Sequence, residues 1–138
     1  MANLFLLHHL LEQASAATPD REAVVDLVGS RRSFTYRALH SMAIHCAAVL
    51  QEQVLERGDR VAIYLPKSAE EAAGIFAVTT AGGVFVSVNA LLLGHQVAHI
   101  LADCGVKYLI TSKKDWKRVR EEVGKVESLR CLLFVDGN

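Results

Sequence analysis

The sequence predicts an α/β protein. An open, mostly parallel sheet of the doubly wound kind carries helices on both faces, with an N-terminal helix and a β-hairpin ahead of it. Three observations predict this. Arg57 to Asn89 reads as strand, helix, strand, with a crossover long enough to make the two strands parallel. The strand–helix alternation then continues to the end of the chain. A parallel sheet needs cover on both faces, and the remaining segments read as that cover.

Each element has its own signal. Leu4, Leu7, Leu10, Leu11 and Ala14 form one stripe at helical spacing. Thr18-Pro19-Asp20 ends that helix, because the residue before a proline avoids the helical region. Ala23 to Val28 reads as a strand, Gly29-Ser30-Arg31 as a turn, and Arg32-Ser33-Phe34 as the returning antiparallel strand. Thr35 is a good N-cap. The helix behind it carries Leu39, Met42, Ala43, Cys46, Val49 and Leu50 on one face and is expected to run out near Arg57-Gly58.

Val61 to Leu65 is a short apolar run suited to a strand, and Pro66 stops it. Ser68 and Glu71 have capping-box spacing. Ala72, Ile75, Phe76 and Thr79 follow as the expected helical stripe, and Gly82-Gly83 ends the helix. Val84 to Val88 is the next strand. Beyond the linker Leu91–Gly94 a helix bears Val97, Ile100, Leu101 and Cys104, and Gly105 ends it. Lys107 to Thr111 is a strand, and Ser112 caps a helix with Trp116, Val119 and Val123 at i, i+3 and i+7. Cys131 to Val135 is the last strand.

A chain of 138 residues suits one domain, and no internal repeat or domain-scale linker divides it, so residues 1–138 are expected to form a single α/β lobe. The 51% hydrophobic content argues against disorder. Fifteen basic and fifteen acidic residues cancel, which leaves no global field to recruit nucleic acid or an anionic membrane. No apolar run approaches the roughly 20 residues of a membrane span. Met1 to Leu11 lacks the basic start and cleavage site of a signal peptide. Cys46, Cys104 and Cys131 are odd in number and form no CxxC, which favours free thiols in a reducing cytoplasm.

Candidate chemistry is sparse. His95 and His99 share a helical face, but Gln96 stands where a zinc-protease helix needs glutamate, and no third ligand can be placed. Gly82-Gly83 follows a helix, whereas a phosphate site needs glycines before a helix N-terminus. No GxxxxGK[ST] or GxGxxG occurs. Lys113, Lys114, Lys117 and Arg118 surround Trp116, yet Glu121 and Glu122 follow at once and a single Trp is a poor stacking platform, so a solvated helix face is expected. Asp59 is expected to shape the turn into the strand at Val61. No serine lies in GxSxG and no Cys–His–acid set has motif support, so no catalytic, cofactor-binding or metal-binding residue is assigned.

The chain resembles the N-terminal region of the AMP-forming acyl-CoA synthetases, a superfamily that also holds nonribosomal-peptide adenylation domains and beetle luciferases. The matching pieces are ATPDREAVVD, RSFTYRALH, RGDRVAIYLPKSAEEAAGIFAVTTAGGVFVSVN and HQVAHILADCGVKYLITS, in the family's order and along nearly the whole chain. LLHHLLEQ, AIYLPKS and HQVAHILADCG are most similar to the acyl-CoA ligases associated with bacterial exosortase and exopolysaccharide systems. Prolines usual in the family near Ser87 and Ala90 are missing, which is expected to loosen a turn.

The resemblance implies a two-step parent reaction. A carboxylate attacks the α-phosphate of ATP to give acyl-adenylate and pyrophosphate, and a thiol, usually that of coenzyme A, then displaces AMP. It implies ATP, Mg²⁺ and coenzyme A for the full-length family. It also implies that the phosphate loop, the adenine and ribose motifs and the catalytic lysine have no counterpart in these residues. The chain is therefore expected to be a structural lobe, inactive alone, whose partner is the remainder of a ligase chain. A lobe with an uncovered sheet edge is also expected to self-associate. The alternative is a free-standing flavodoxin-like domain holding a ligand around Leu65-Pro66-Lys67 and Val88-Asn89-Ala90.

Overall fold

A computed structural model describes residues 6–27 and 29–137. The elements are α1 (Leu7–Ala17), β1 (Glu22–Asp26), β2 (Arg32–Thr35), α2 (Tyr36–Glu52), β3 (Arg60–Leu65), α3 (Ala69–Thr80), β4 (Val84–Asn89), α4 (Gly94–Asp103), β5 (Tyr108–Thr111), α5 (Lys113–Val123) and β6 (Cys131–Phe134). The first two strands pair as an antiparallel hairpin. The other four form one parallel sheet in the order β4-β3-β5-β6.

The sheet is doubly wound. Leu50 of α2 and Val78 of α3 pack on Val61, Ile63 and Ile110 on one face. Val97 and Leu101 of α4 and Val119 and Val123 of α5 pack on Ala62, Tyr64 and Leu109 on the other. The central strand β3 alternates between the two layers, and Val61 to Leu65 is buried throughout. A third layer forms where α1 lies over α2 and α3, around Leu11, Ala43 and Ala77.

Several boundaries differ from the sequence reading. Among the described residues of the α1 stripe, Leu11 alone is buried. Leu7 and Leu10 are exposed and Leu4 lies outside the described residues. The helix is rolled so that Leu11, flanked by half-buried His8, Ala14 and Ser15, faces inward in place of the wider leucine stripe. Strand β1 stops at Asp26, whose carboxylate takes Arg32 Nη2 at 2.6 Å, while Val28 lies outside the described residues. Arg32 also reaches Glu70 of α3 at 2.9 Å, which pins the hairpin to the lobe and holds the Glu70 carboxyl below the usual carboxylate range.

Helix α2 ends at Glu52, well before Arg57-Gly58. Val54 N–H bonds Gln51 C=O and Leu55 N–H bonds Leu50 C=O, the paired contacts of a Schellman stop. Such a stop places its C′ residue in the left-handed region, and here that residue is Val54, at φ 63°. A β-branched side chain is strained there. No glycine stands at this position, so nothing local in the sequence marks the stop. Val54 is 74% exposed, so little burial is lost with its side chain. Val54→Gly is therefore expected to stabilise the chain by about 1 kcal/mol, read from urea midpoints. An unchanged or lowered midpoint would count against the strain.

The same stop closes α3 with better chemistry. Gly82 takes φ 89°, Gly82 N–H bonds Thr79 C=O, and Gly83 N–H bonds Val78 C=O. A Cβ at Gly83 would lie 3.1 Å from Asp59 C=O, so the second glycine permits a close backbone approach. Both act as a helix stop and packing point. At the other end Ser68 Oγ accepts Glu71 N–H at 3.2 Å, while the Glu71 carboxylate pairs with Lys67 Nζ at 2.8 Å. The deepest face of α3 is Ala69, Ala73 and Ala77 with Gly74 and Val78, not the stripe at Ala72, Ile75, Phe76 and Thr79, which is half-buried. This helix is sandwiched between α2 and the sheet. Its small residues let two neighbours approach at once, and a single-stripe reading cannot anticipate that.

Candidate functional site

In an open α/β sheet, ligands bind beyond the carboxyl ends of the strands where the connections reverse. The chain leaves β3 for β4 on one side and leaves β5 for β6 on the other, so the reversal lies between β3 and β5. This corrects the expected position. The segment Leu65-Pro66-Lys67 does sit there, but its partner at the switch is Thr111-Ser112, not Val88-Asn89-Ala90.

The side chains at the switch hold one another. Thr111 Oγ1 donates to Tyr64 C=O at 2.8 Å. Tyr64 is fully buried, and its hydroxyl lies 3.2 Å from Ala90 C=O and 3.0 Å from Leu92 C=O. Burial pushes the Tyr64 phenol up from its ordinary value, with Asp115 adding to the effect against Arg118. It therefore stays protonated at neutral pH and serves as a donor, not as a base. Arg118 Nη2 donates to Tyr64 Oη at 3.2 Å and to Ala90 C=O at 3.0 Å, and Nη1 meets Asp115 at 3.0 Å. Ser112 Oγ accepts Asp115 N–H and donates to its carboxylate at 2.6 Å. The next free donor of α5, Lys113 N–H, goes to the Asp136 carboxylate at 2.9 Å.

Arg118 is exposed like Lys113, Lys114 and Lys117, as expected of a solvated face, and it also clamps the β4–α4 turn. That turn lacks the two prolines, yet Asn89 Oδ1 accepts Leu91 N–H at 2.9 Å and the Tyr64 hydroxyl ties down its carbonyls. Beside it lies a cleft of about 450 Å³ between Leu65–Lys67 and Ser87–Leu91. Its cation, Lys67, is already paired with Glu71.

His95 and His99 are both exposed on α4. Gln96 between them has a structural task, since its Oε1 accepts Leu93 N–H at 2.9 Å. Among the described residues no group of three His, Cys, Asp or Glu side chains could hold a metal ion. Cys46, Cys104 and Cys131 are free. Burial pushes the Cys46 thiol up to about 11, away from nucleophilic use.

Asp59 lies at the opposite end of the sheet and does more than shape a turn. Its carboxylate meets Lys107 Nζ at 2.7 Å and Glu56 N–H at 3.0 Å, and the residue is only 7% exposed. Its carbonyl accepts Val84 N–H at 2.8 Å. One residue thereby joins the starts of β3, β4 and β5. Lys107 is 48 positions away, and no local spacing signals the pairing.

The arrangement defines a class: a doubly wound α/β lobe whose polar residues at the switch point are engaged with each other. The chain belongs to the AMP-binding enzyme family, whose pattern matches residues 11–138. Syringomycin synthase SyrB1 of Pseudomonas syringae pv. syringae is 29% identical over 126 residues, which are 91% of this chain and 19% of that protein. The long-chain-fatty-acid–CoA ligase of Bacillus subtilis (strain 168) is 32% identical over 105 residues, 76% of this chain and 18% of that protein. The inhibitor-bound N-terminal domain of FACL13 from Mycobacterium tuberculosis superposes with a TM-score of 0.87 at 25% identity, covering 96% of this chain and 34% of that one. The chain therefore spans about a fifth of the length of these two curated relatives.

The family implies ATP and Mg²⁺. The described residues do not fit a triphosphate. Lys67 pairs with Glu71 and Arg118 with Asp115, and the Lys113 N–H at the start of α5 carries the carboxylate of Asp136. A phosphate placed at any of these would meet an acidic side chain.

Proposed function

We propose that this chain is the first lobe of the N-terminal subdomain of an ATP-dependent, AMP-forming acyl-CoA ligase, and that it acts as the scaffold on which nucleotide-handling elements are built. The reading rests on one observation: residues 11–138 match the family, while the chain spans only 18% of the fatty acyl-CoA ligase. Its partner is then the remainder of a ligase chain, which supplies the groups for ATP, Mg²⁺ and coenzyme A. Its switch-point residues position turns and move no proton. By itself the lobe forms no acyl-adenylate. Coenzyme A as the acceptor is the finer part of the proposal, supported by the fatty acyl ligase among the relatives. A cytoplasmic location is proposed with it, since the three thiols are free. Among the described residues no helix is long and apolar enough to cross a membrane.

The test is pyrophosphate exchange with ATP and a panel of carboxylates. The chain alone is expected to stay at the blank. A chimera of the Bacillus subtilis ligase carrying residues 11–138 in place of its matching segment is expected to exchange measurably. Exchange by the isolated chain, or none by a chimera whose circular dichroism shows it folded, would sink the reading. Self-association of the lobe is also proposed, because the far side of β6 pairs with no strand among the described residues.

A further inference from the structure

The cleft over the carboxyl ends of β3 and β4 has apolar walls at Leu65, Pro66, Ala90 and Leu91 and a volume of about 450 Å³. One carboxylate lines it, that of Glu71, and this residue is only 7% exposed. Its ion pair is lopsided. Lys67 Nζ meets Glu71 Oε1 at 2.8 Å, yet the lysine side chain is 90% exposed against 9% for the glutamate. The lysine therefore covers a buried carboxylate from the solvent side, with its own stem in water. An exposed lysine gains little from such a pair and leaves it easily. Two neutral polar side chains, Ser87 and Asn89, line the same cleft. Phe85 packs in the α2–α3 layer and Val86 and Val88 in the α4–α5 layer, so the alternation of β4 puts Ser87 and Asn89 on the side of α3 and Glu71. Asn89 Oδ1 accepts Leu91 N–H at 2.9 Å and has a second lone pair to offer.

We propose that this cleft binds a primary alkylammonium. Its nitrogen takes the place of Lys67 Nζ at the Glu71 carboxylate, and its carbon chain lies along Leu65 and Leu91. Lys67 is then a tethered stand-in that occupies the carboxylate when the cleft is empty and swings into water when it is filled. An ammonium carries three donors, so one serves Glu71 and two remain for Ser87 Oγ and Asn89 Oδ1. The lining selects against other ions. A divalent metal needs several oxygen ligands, whereas the cleft has a single carboxylate, and among the described residues no group of three His, Cys, Asp or Glu could hold a metal. A quaternary ammonium is recognised by aromatic faces, and no aromatic side chain lines this cleft. An anion would meet Glu71. The proposal goes beyond the lobe reading and does not depend on it, because every wall of the cleft comes from residues 65–91.

The test is a heteronuclear NMR titration of the chain with n-butylammonium chloride at constant ionic strength. Saturable shifts are expected, confined to the amides of Leu65 to Glu71 and Ser87 to Leu91. Tetramethylammonium and butyrate, at the same concentrations, should give none. Lys67→Ala removes the internal competitor and should tighten binding roughly threefold, the penalty for a site that its own lysine fills about two-thirds of the time. A merely structural ion pair predicts no such gain. Glu71→Gln should abolish saturation in a chain whose circular dichroism shows it folded. Should that variant not fold, the comparison of the wild type with Lys67→Ala still decides. The absence of saturable shifts in both of these proteins would overturn the proposal. So would binding that weakens in Lys67→Ala, binding unchanged in folded Glu71→Gln, or equal shifts with tetramethylammonium, which would mark a bulk effect of charge.

Discussion

Asp59→Ala is expected to lower stability by roughly 2–4 kcal/mol, out of a total of about 5–15 kcal/mol for a domain of this kind. Removing the carboxylate leaves the Lys107 ammonium, only 26% exposed, and the Glu56 N–H without their acceptor. Three strand starts lose their common clip. Asp59→Asn keeps an acceptor for Glu56 and should lose less. The pH dependence has a definite sign. Burial pushes the Asp59 carboxyl up, but the Lys107 hydrogen bond and the Glu56 N–H, with the charges of Lys107 and Arg130, more than offset it, so its folded pKa lies below the ordinary 3.8. A depressed folded pKa means stability that is complete above 3.8 and is lost as pH falls through the folded value. Urea midpoints of the wild type and of Asp59→Asn should therefore differ most near neutral pH and converge in acid. A gap that widened in acid would contradict the assignment.

Ile63→Ala is expected to cost about 2–5 kcal/mol, the range for emptying a well-packed core site. Ile63 is 1% exposed on the central strand, and its Cδ1 fills the notch left by the missing side chain of Gly74 on α3. A Cβ at Gly74 would lie 3.3 Å from that methyl, closer than comfortable contact. The two positions should therefore couple. Gly74→Ala gains helix propensity, about 1 kcal/mol, but pushes on Ile63. In an Ile63→Val background, where the methyl is gone, the same change should be better tolerated by at least about 0.5 kcal/mol in a double-mutant cycle. Additive effects would show that the notch does not hold the isoleucine.

Nearly all of the architecture is legible in the sequence. Elements with strong punctuation fall within a residue or two of their expected bounds: the cap at Ser68, the stop at Gly82, and the buried run from Val61 to Leu65. These signals are local, because a cap or a left-handed stop is decided by a few adjacent residues. The differences share a cause in what adjacent residues do not carry. The end of α2 is hidden because strained Val54 does the work of a glycine. The buried face of α3 departs from a single stripe because two partners, not one, press on it. The ligand-side switch falls at a different strand pair because the order β4-β3-β5-β6 follows from pairing between distant segments.

The sequence by itself determined the fold class and the family resemblance, both of which are written in runs of adjacent residues. Only the tertiary structure decided what the polar residues do. It committed Arg118 to Tyr64, Lys67 to Glu71 and Lys107 to Asp59, and it set the strand order β4-β3-β5-β6. Partners 48 or 54 positions apart meet through the crossovers of the sheet, which adjacent residues do not encode.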